Sequence, residues 1–118
     1  MYIKEFEIGK KDLDSAIKSF EDSNFKWATI QAYYSIFHAA RAMLYKAGYR
    51  EESHSALKMA FKELYLLTSK LPDNVFDALE RGMELREMAD YKENYSQKGA
   101  ENLIIAVKRA LEEIEKIV

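Results

Sequence analysis

The chain has 118 residues, with 18 lysines and arginines against 20 aspartates and glutamates, a net charge of −2 and no cysteine. One domain spanning residues 1–118 is expected, burying roughly two-thirds of its unfolded surface, with no disulfide, thiolate metal site or cysteine nucleophile. The charge balance offers no basic surface overall, so any contact with nucleic acid has to be local.

The opening MYIKEFEIGKK mixes charged and apolar residues, unlike a signal peptide. No apolar run approaches the roughly 20 residues of a membrane helix. A cytoplasmic protein without membrane contact is therefore expected. One proline and four glycines imply long helices, and eight tyrosines imply half-buried sites that hold an apolar ring and a polar tip.

Helical spacing dominates and predicts an all-α, antiparallel up-and-down bundle of four to five helices. In chain order, the first helix runs from about Lys10 to Asp22, with Leu13, Ile17 and Phe20 on one face. Ser23 and Asn24 offer a cap, and a long second helix follows from about Phe25 to Ala47, stopped by Gly48. The third spans about His54 to Thr68 and is expected to bury Leu57, Ala60, Phe61, Leu64 and Leu67. Pro72 suits the first turn of a fourth helix that ends near Asp90. The last covers about Gln97 to Ile117, burying Leu103, Val107, Leu111 and Ile114, with Glu112 and Lys116 as an exposed pair one turn apart.

Two helices depart from the usual pattern of one charged face. In the second, Ile30, Tyr33, Phe37, Ala40 and Leu44 form an apolar stripe. Beside it run Trp27, Gln31, Tyr34, His38, Arg41 and Tyr45, and the remaining face is small: Ala28, Ala32, Ser35, Ala39 and Ala42. Such a helix is covered on every side, either inside its own bundle or by a second copy. In the fourth helix, Arg86 projects from an apolar stripe of Val75, Leu79, Gly82, Met83 and Ala89. Arginine is rare there unless paired. Asp90, one turn on, can pair with it structurally. Alternatively the guanidinium faces a cleft and awaits a phosphate, for which its planar fork is well shaped. His38 and Arg41 are candidates for the same neighbourhood.

The segments IQAYYSIFHAARAML, ESHSALKMAF and ELREMADY, in this order, resemble the HEPN family of small helical bundles over essentially the whole chain. The resemblance implies a homodimer, a nucleotidyltransferase partner in many relatives, and metal-independent ribonuclease activity in several. Those ribonucleases use an arginine followed after four to six residues by a histidine. Arg86 matches the arginine, but the corresponding later positions are Tyr91, Lys92 and Glu93. Cleavage of RNA without metal needs a base for the 2′-hydroxyl and a cation for the charged phosphorus centre. Tyrosine, with an ordinary pKa near 10, is a poor base, although it can donate a hydrogen bond or stack on a nucleobase.

The expected function is thus a binding module that engages a nucleotidyltransferase partner, a nucleotide or RNA through Arg86, Asp90, Tyr91, Tyr95 and Arg41. The alternative is an endoribonuclease using Arg86 with Tyr91 or His38, and a third reading is a scaffold whose partner carries the chemistry. His54, just before a helix start, reads as a loop or capping-region residue. No cofactor or metal is expected. The one glutamate three residues before a histidine is Glu51, in a loop, whereas a di-metal carboxylate bundle wants inward-facing Glu-x-x-His pairs.

Overall fold

A computed structural model describes residues 1–51 and 53–118. They form α1 (Tyr2–Glu21), α2 (Phe25–Lys46), α3 (His54–Phe61), a π-helical turn (Lys62–Leu66), α4 (Asp73–Lys92) and α5 (Gln97–Glu115). The architecture is the expected all-α bundle. Helix α2 is its axis and packs against α1, α3, α4 and α5, while α1 also closes against α5.

The local reasons for these helices are conventional ones. Asn24, Ser53 and Ser96 each cap a helix by accepting from the backbone N–H three residues on, which satisfies donors that the helix cannot. Helix α2 ends in a Schellman arrangement. Gly48 adopts φ 84°, Gly48 N–H donates to Tyr45 O at 3.0 Å and Tyr49 N–H to Leu44 O at 2.8 Å.

Four expectations need correction. The first helix begins eight residues earlier than Lys10, because Phe6, Gly9 and Ala16 form its buried edge, with Leu13, Ile17 and Phe20 only half-buried beside them. The third helix ends at Phe61. Its π turn, with Leu67 N–H donating to Lys62 O at 2.9 Å, adds a residue to the turn and rotates the following positions. Tyr65 is thereby buried and Leu67 is exposed. Pro72 is the cap of α4 rather than a member of its first turn, and α4 runs on to Lys92 before Glu93 turns it off in the left-handed region, φ 50°. Lys116 pairs with Glu113 at 3.1 Å instead of Glu112.

The small face of α2 is covered within the chain. Ala28, Ala32, Ser35, Ala39 and Ala42 are all fully buried, and α1 lies so close that the Ser35 hydroxyl donates to the Gly9 carbonyl at 2.7 Å. A Cβ added at Gly9 would sit 2.8 Å from Ser35 O and 3.3 Å from Ala39 N, both backbone atoms. Self-association is therefore not needed to cover this face. Replacing Gly9 by alanine gains helix propensity of about 1 kcal/mol but forces two backbones apart. A net loss of about 1–2 kcal/mol is expected, read from urea unfolding; unchanged stability would mean that the close approach is not a constraint.

Candidate functional site

The close contact with α1 leaves the mixed stripe of α2 as the part that reaches solvent. Tyr34, His38 and Arg41 on this stripe are half-buried and line the second of two clefts that meet at His54. One, of about 210 Å³, is lined by Tyr33, His54, Met83, Arg86 and Tyr91. The other, of about 320 Å³, is lined by Tyr34, Phe37, His38, Arg41, Glu51 and His54. His54 belongs to both.

Arg86 is placed by the apolar stripe of α4, whose Gly82 brings the helix against Tyr33: a Cβ there would meet the ring at 3.2 Å. The guanidinium lies 5.8, 5.6 and 5.4 Å from the ring centres of Tyr33, Tyr34 and Tyr91, within cation–π range. Its polar contacts are sparse. One Nη donates to the Tyr34 hydroxyl at 3.2 Å, and Asp90 stands 3.6 Å away, beyond good hydrogen-bond distance. The buried Nε–H has no acceptor among the described residues. A guanidinium has five donors, and a buried donor left unpaired costs about 1–3 kcal/mol. An anion such as a phosphate can accept from the Nε and Nη of a guanidinium together.

His54 is the residue that spacing along the chain did not assign to this site. It is the first residue of α3, after the Ser53 cap, and its ring reaches back to α2. Nδ1 lies 2.6 Å from the hydroxyl of Tyr33, which is fully buried. The imidazole packs 4.5 Å from the Phe37 ring. Burial, then the charges of Arg86 and Arg41, hold its pKa below the ordinary 6.5. It is therefore a neutral imidazole at pH 7, able to accept a proton. Burial also pushes the Tyr33 hydroxyl far up, so it stays a phenol. No spacing along the chain links Arg86 to His54; only the need of a buried tyrosine hydroxyl for a partner hints at one.

The other expected residues separate into two groups. Tyr91 stands beside Arg86 with its ring 69% exposed, suited to stacking. Asp90 is the loose ionic neighbour already described. Tyr95 is exposed beyond the end of α4, near the Lys26–Glu93 ion pair of 2.6 Å that ties the start of α2 to that end. His38 and Arg41 belong to a second constellation. His38 Nδ1 and Arg41 Nε lie 2.6 and 2.8 Å from the buried carboxylate of Glu5, and His38 Nε2 lies 3.6 Å from Asp12. Both nitrogens of His38 thus face carboxylates of α1. Burial raises the Asp12 pKa, against the pull of His38. Glu5 was not anticipated because the first helix was placed too late.

A larger cleft of about 470 Å³ lies between α4 and α5, lined by Asp77, Arg81, Asn102 and Arg109 among others. Its two arginines are exposed, and among the described residues no buried polar atom there lacks a partner. The smaller clefts on α2 hold the unsatisfied groups and the shifted histidine, which is the stronger chemical signal.

Comparison with known proteins gives a family and two relatives. The family model described as "HEPN domain" matches residues 4–117. The chain is 27% identical over 112 residues to "Putative toxin MJ0605" of Methanocaldococcus jannaschii, covering 93% of this chain and 83% of that protein. It is 24% identical over 88 residues to "Putative toxin MJ0142" of the same organism, covering 75% of this chain and 60% of that one.

Because its pKa is lowered on folding, His54 contributes stability that is complete above 6.5 and is lost as pH falls through that value toward the folded pKa. Ring-proton NMR should show His54 titrating below 6.5. Arg86→Met should move its midpoint upward without restoring 6.5, since burial is the larger cause. A midpoint at or above 6.5 in the unaltered protein would contradict this placement.

Proposed function

Because this chain belongs to the HEPN family, and its relatives carry the name of toxins, we propose that it is a toxin-like module that binds single-stranded RNA through Arg86. The observation that carries this reading is the buried Nε–H of Arg86, without an acceptor in an aromatic pocket. A phosphodiester supplies the acceptor. The Tyr34 hydroxyl, which accepts from Arg86, keeps its own proton for a second phosphate oxygen. Tyr91 offers an exposed ring for a neighbouring base, and such stacking contributes about 1–3 kcal/mol per base. The homodimer and nucleotidyltransferase partner that the family resemblance implies have exposed rings available at the same end, those of Trp27, Tyr91 and Tyr95. Action in the cytoplasm is part of the same proposal.

The test is binding of a 2′-O-methylated pentauridylate, which cannot be cut through a 2′-hydroxyl, followed by fluorescence anisotropy. Arg86→Ala should weaken binding by about tenfold to a hundredfold, the worth of a lost charged hydrogen bond, with the melting transition still cooperative. Arg86→Lys should recover only part, because an ammonium is not a planar fork. Equal binding by all three proteins would make the arginine structural.

A second reading, metal-independent endoribonuclease, is favoured by one specific observation: a neutral histidine shares the cleft with Arg86. In that reading His54 takes the 2′-hydroxyl proton as the 2′-oxygen attacks phosphorus. Arg86 stabilises the added negative charge, and the 5′-oxygen leaves with a proton taken from solvent water, giving a 2′,3′-cyclic phosphate and a 5′-hydroxyl. For that role the Tyr33 oxygen accepts from Nδ1–H of His54, which leaves the Nε2 lone pair to take the proton. With ordinary RNA in chelator, cleavage should fall by about 10²–10⁴ in His54→Ala and persist in His38→Ala. The opposite pattern would return the base to His38. No cleavage by the unaltered protein would leave the binding reading alone.

A further inference from the structure

The cleft on the far side of His54 from Arg86 contains a second unsatisfied group. Both carboxylate oxygens of Glu51 are buried, and neither has a hydrogen-bond partner among the described residues. Arg41 does not neutralise Glu51 by direct pairing: its Nε is committed to Glu5 at 2.8 Å, and its guanidinium lies over Phe37 at 4.9 Å. Burial accordingly raises the Glu51 pKa, while its own backbone amide and the more distant charge of Arg41 pull it down. The walls of this cleft are the rings of Tyr34, Phe37 and His54.

A desolvated carboxylate between aromatic rings rejects phosphate and asks for a flat group with two adjacent donors. Among the four RNA bases only guanine presents that edge, its N1–H beside its 2-amino group. Adenine and cytosine pair one donor with an acceptor, and uracil flanks its single N–H with two carbonyls. We propose that this cleft receives a guanine base of the RNA whose phosphate lies on Arg86, with the two oxygens of Glu51 accepting from N1–H and the 2-amino group. The base stacks against the half-buried ring of Tyr34. His54, which lines both clefts, then stands between the base and the phosphate, beside the ribose that joins them. This inference rests on the RNA-binding reading and adds sequence preference to it.

Four 2′-O-methylated pentamers, uridines with G, A, C or U at the centre, separate the two claims. The guanine pentamer should bind between about fivefold and about 150-fold more tightly than the others, the discrimination of one bidentate pair. Glu51→Gln, whose amide accepts at one atom only, should erase that preference and leave binding of the uridine pentamer unchanged. Arg86→Ala should weaken all four. Equal, Arg86-dependent binding of all four overturns the guanine assignment and spares the RNA reading, leaving Glu51 to a cationic group of a protein partner. Failure of every pentamer to bind overturns both. A retained guanine preference in Glu51→Gln, with the melting transition intact, overturns the role of this carboxylate.

Discussion

A tyrosine hydroxyl sealed inside a helical bundle must find a partner, and the placement of the candidate site follows from how Tyr33 finds one. Its position on the apolar stripe of α2 buries it completely. Gly82 lets α4 close onto its ring, which brings Arg86 over the same ring. The hydroxyl then meets His54 at 2.6 Å, which holds the first turn of α3 against α2 and α4. One buried side chain thus sets a guanidinium and an imidazole from different helices around a single cleft. Leaving that hydroxyl unpaired would cost about 1–3 kcal/mol, enough to favour one placement of the first turn of α3.

The second constraint acts from the opposite side of α2. Gly9 and the small face of α2 allow α1 to approach at backbone contact, and Glu5 then reaches His38 and Arg41. Because His38 and Arg41 are half-buried, removing Glu5 should cost less than the roughly 3–5 kcal/mol of breaking a fully buried pair. His38 and Arg41 are thereby fixed in orientation, and the cation that borders the second cleft is anchored by a carboxylate of a neighbouring helix. The strip along α2 consequently alternates function along its length. Arg86 and Tyr34 offer donors, His54 a neutral imidazole, and Glu51 acceptors, all against a floor of aromatic rings. An elongated, partly aromatic ligand with alternating anionic and donor-bearing groups fits such a strip better than a compact metabolite does.

Much of this was legible in the sequence. The all-α bundle followed from spacing, and the cap at Asn24 and the stop at Gly48 sit where local chemistry puts them, whereas the caps Ser53 and Ser96 were read only as parts of connections. Arg86 was conspicuous as a charge on an apolar stripe. Other features were hidden for definite reasons. The first helix was expected only from about Lys10, whereas it starts at Tyr2 and its Gly9 is a point of backbone contact with α2. The π turn after Phe61 changes the period, so a fixed 3.6-residue count misplaced Leu67 and missed Tyr65. The histidine that shares a cleft with Arg86 comes from another helix, 32 positions earlier by subtraction of the residue numbers. A motif with fixed spacing searches only downstream of Arg86 and finds Tyr91, Lys92 and Glu93. Such a pairing is a property of the tertiary structure, and it emerges only when α2, α3 and α4 are packed together.

The proposed RNA contact of Arg86 is open to direct measurement. Side-chain NMR of the arginine Nε–H groups measures this directly, with a short 2′-O-methylated RNA titrated into the folded chain. A large downfield shift is expected for Arg86, whose buried Nε–H has no acceptor among the described residues, accompanied by shifts of the His54 ring and Tyr34. Shifts confined to Arg81 and Arg109, in the larger cleft between α4 and α5, with Arg86 unmoved, would contradict the proposed contact.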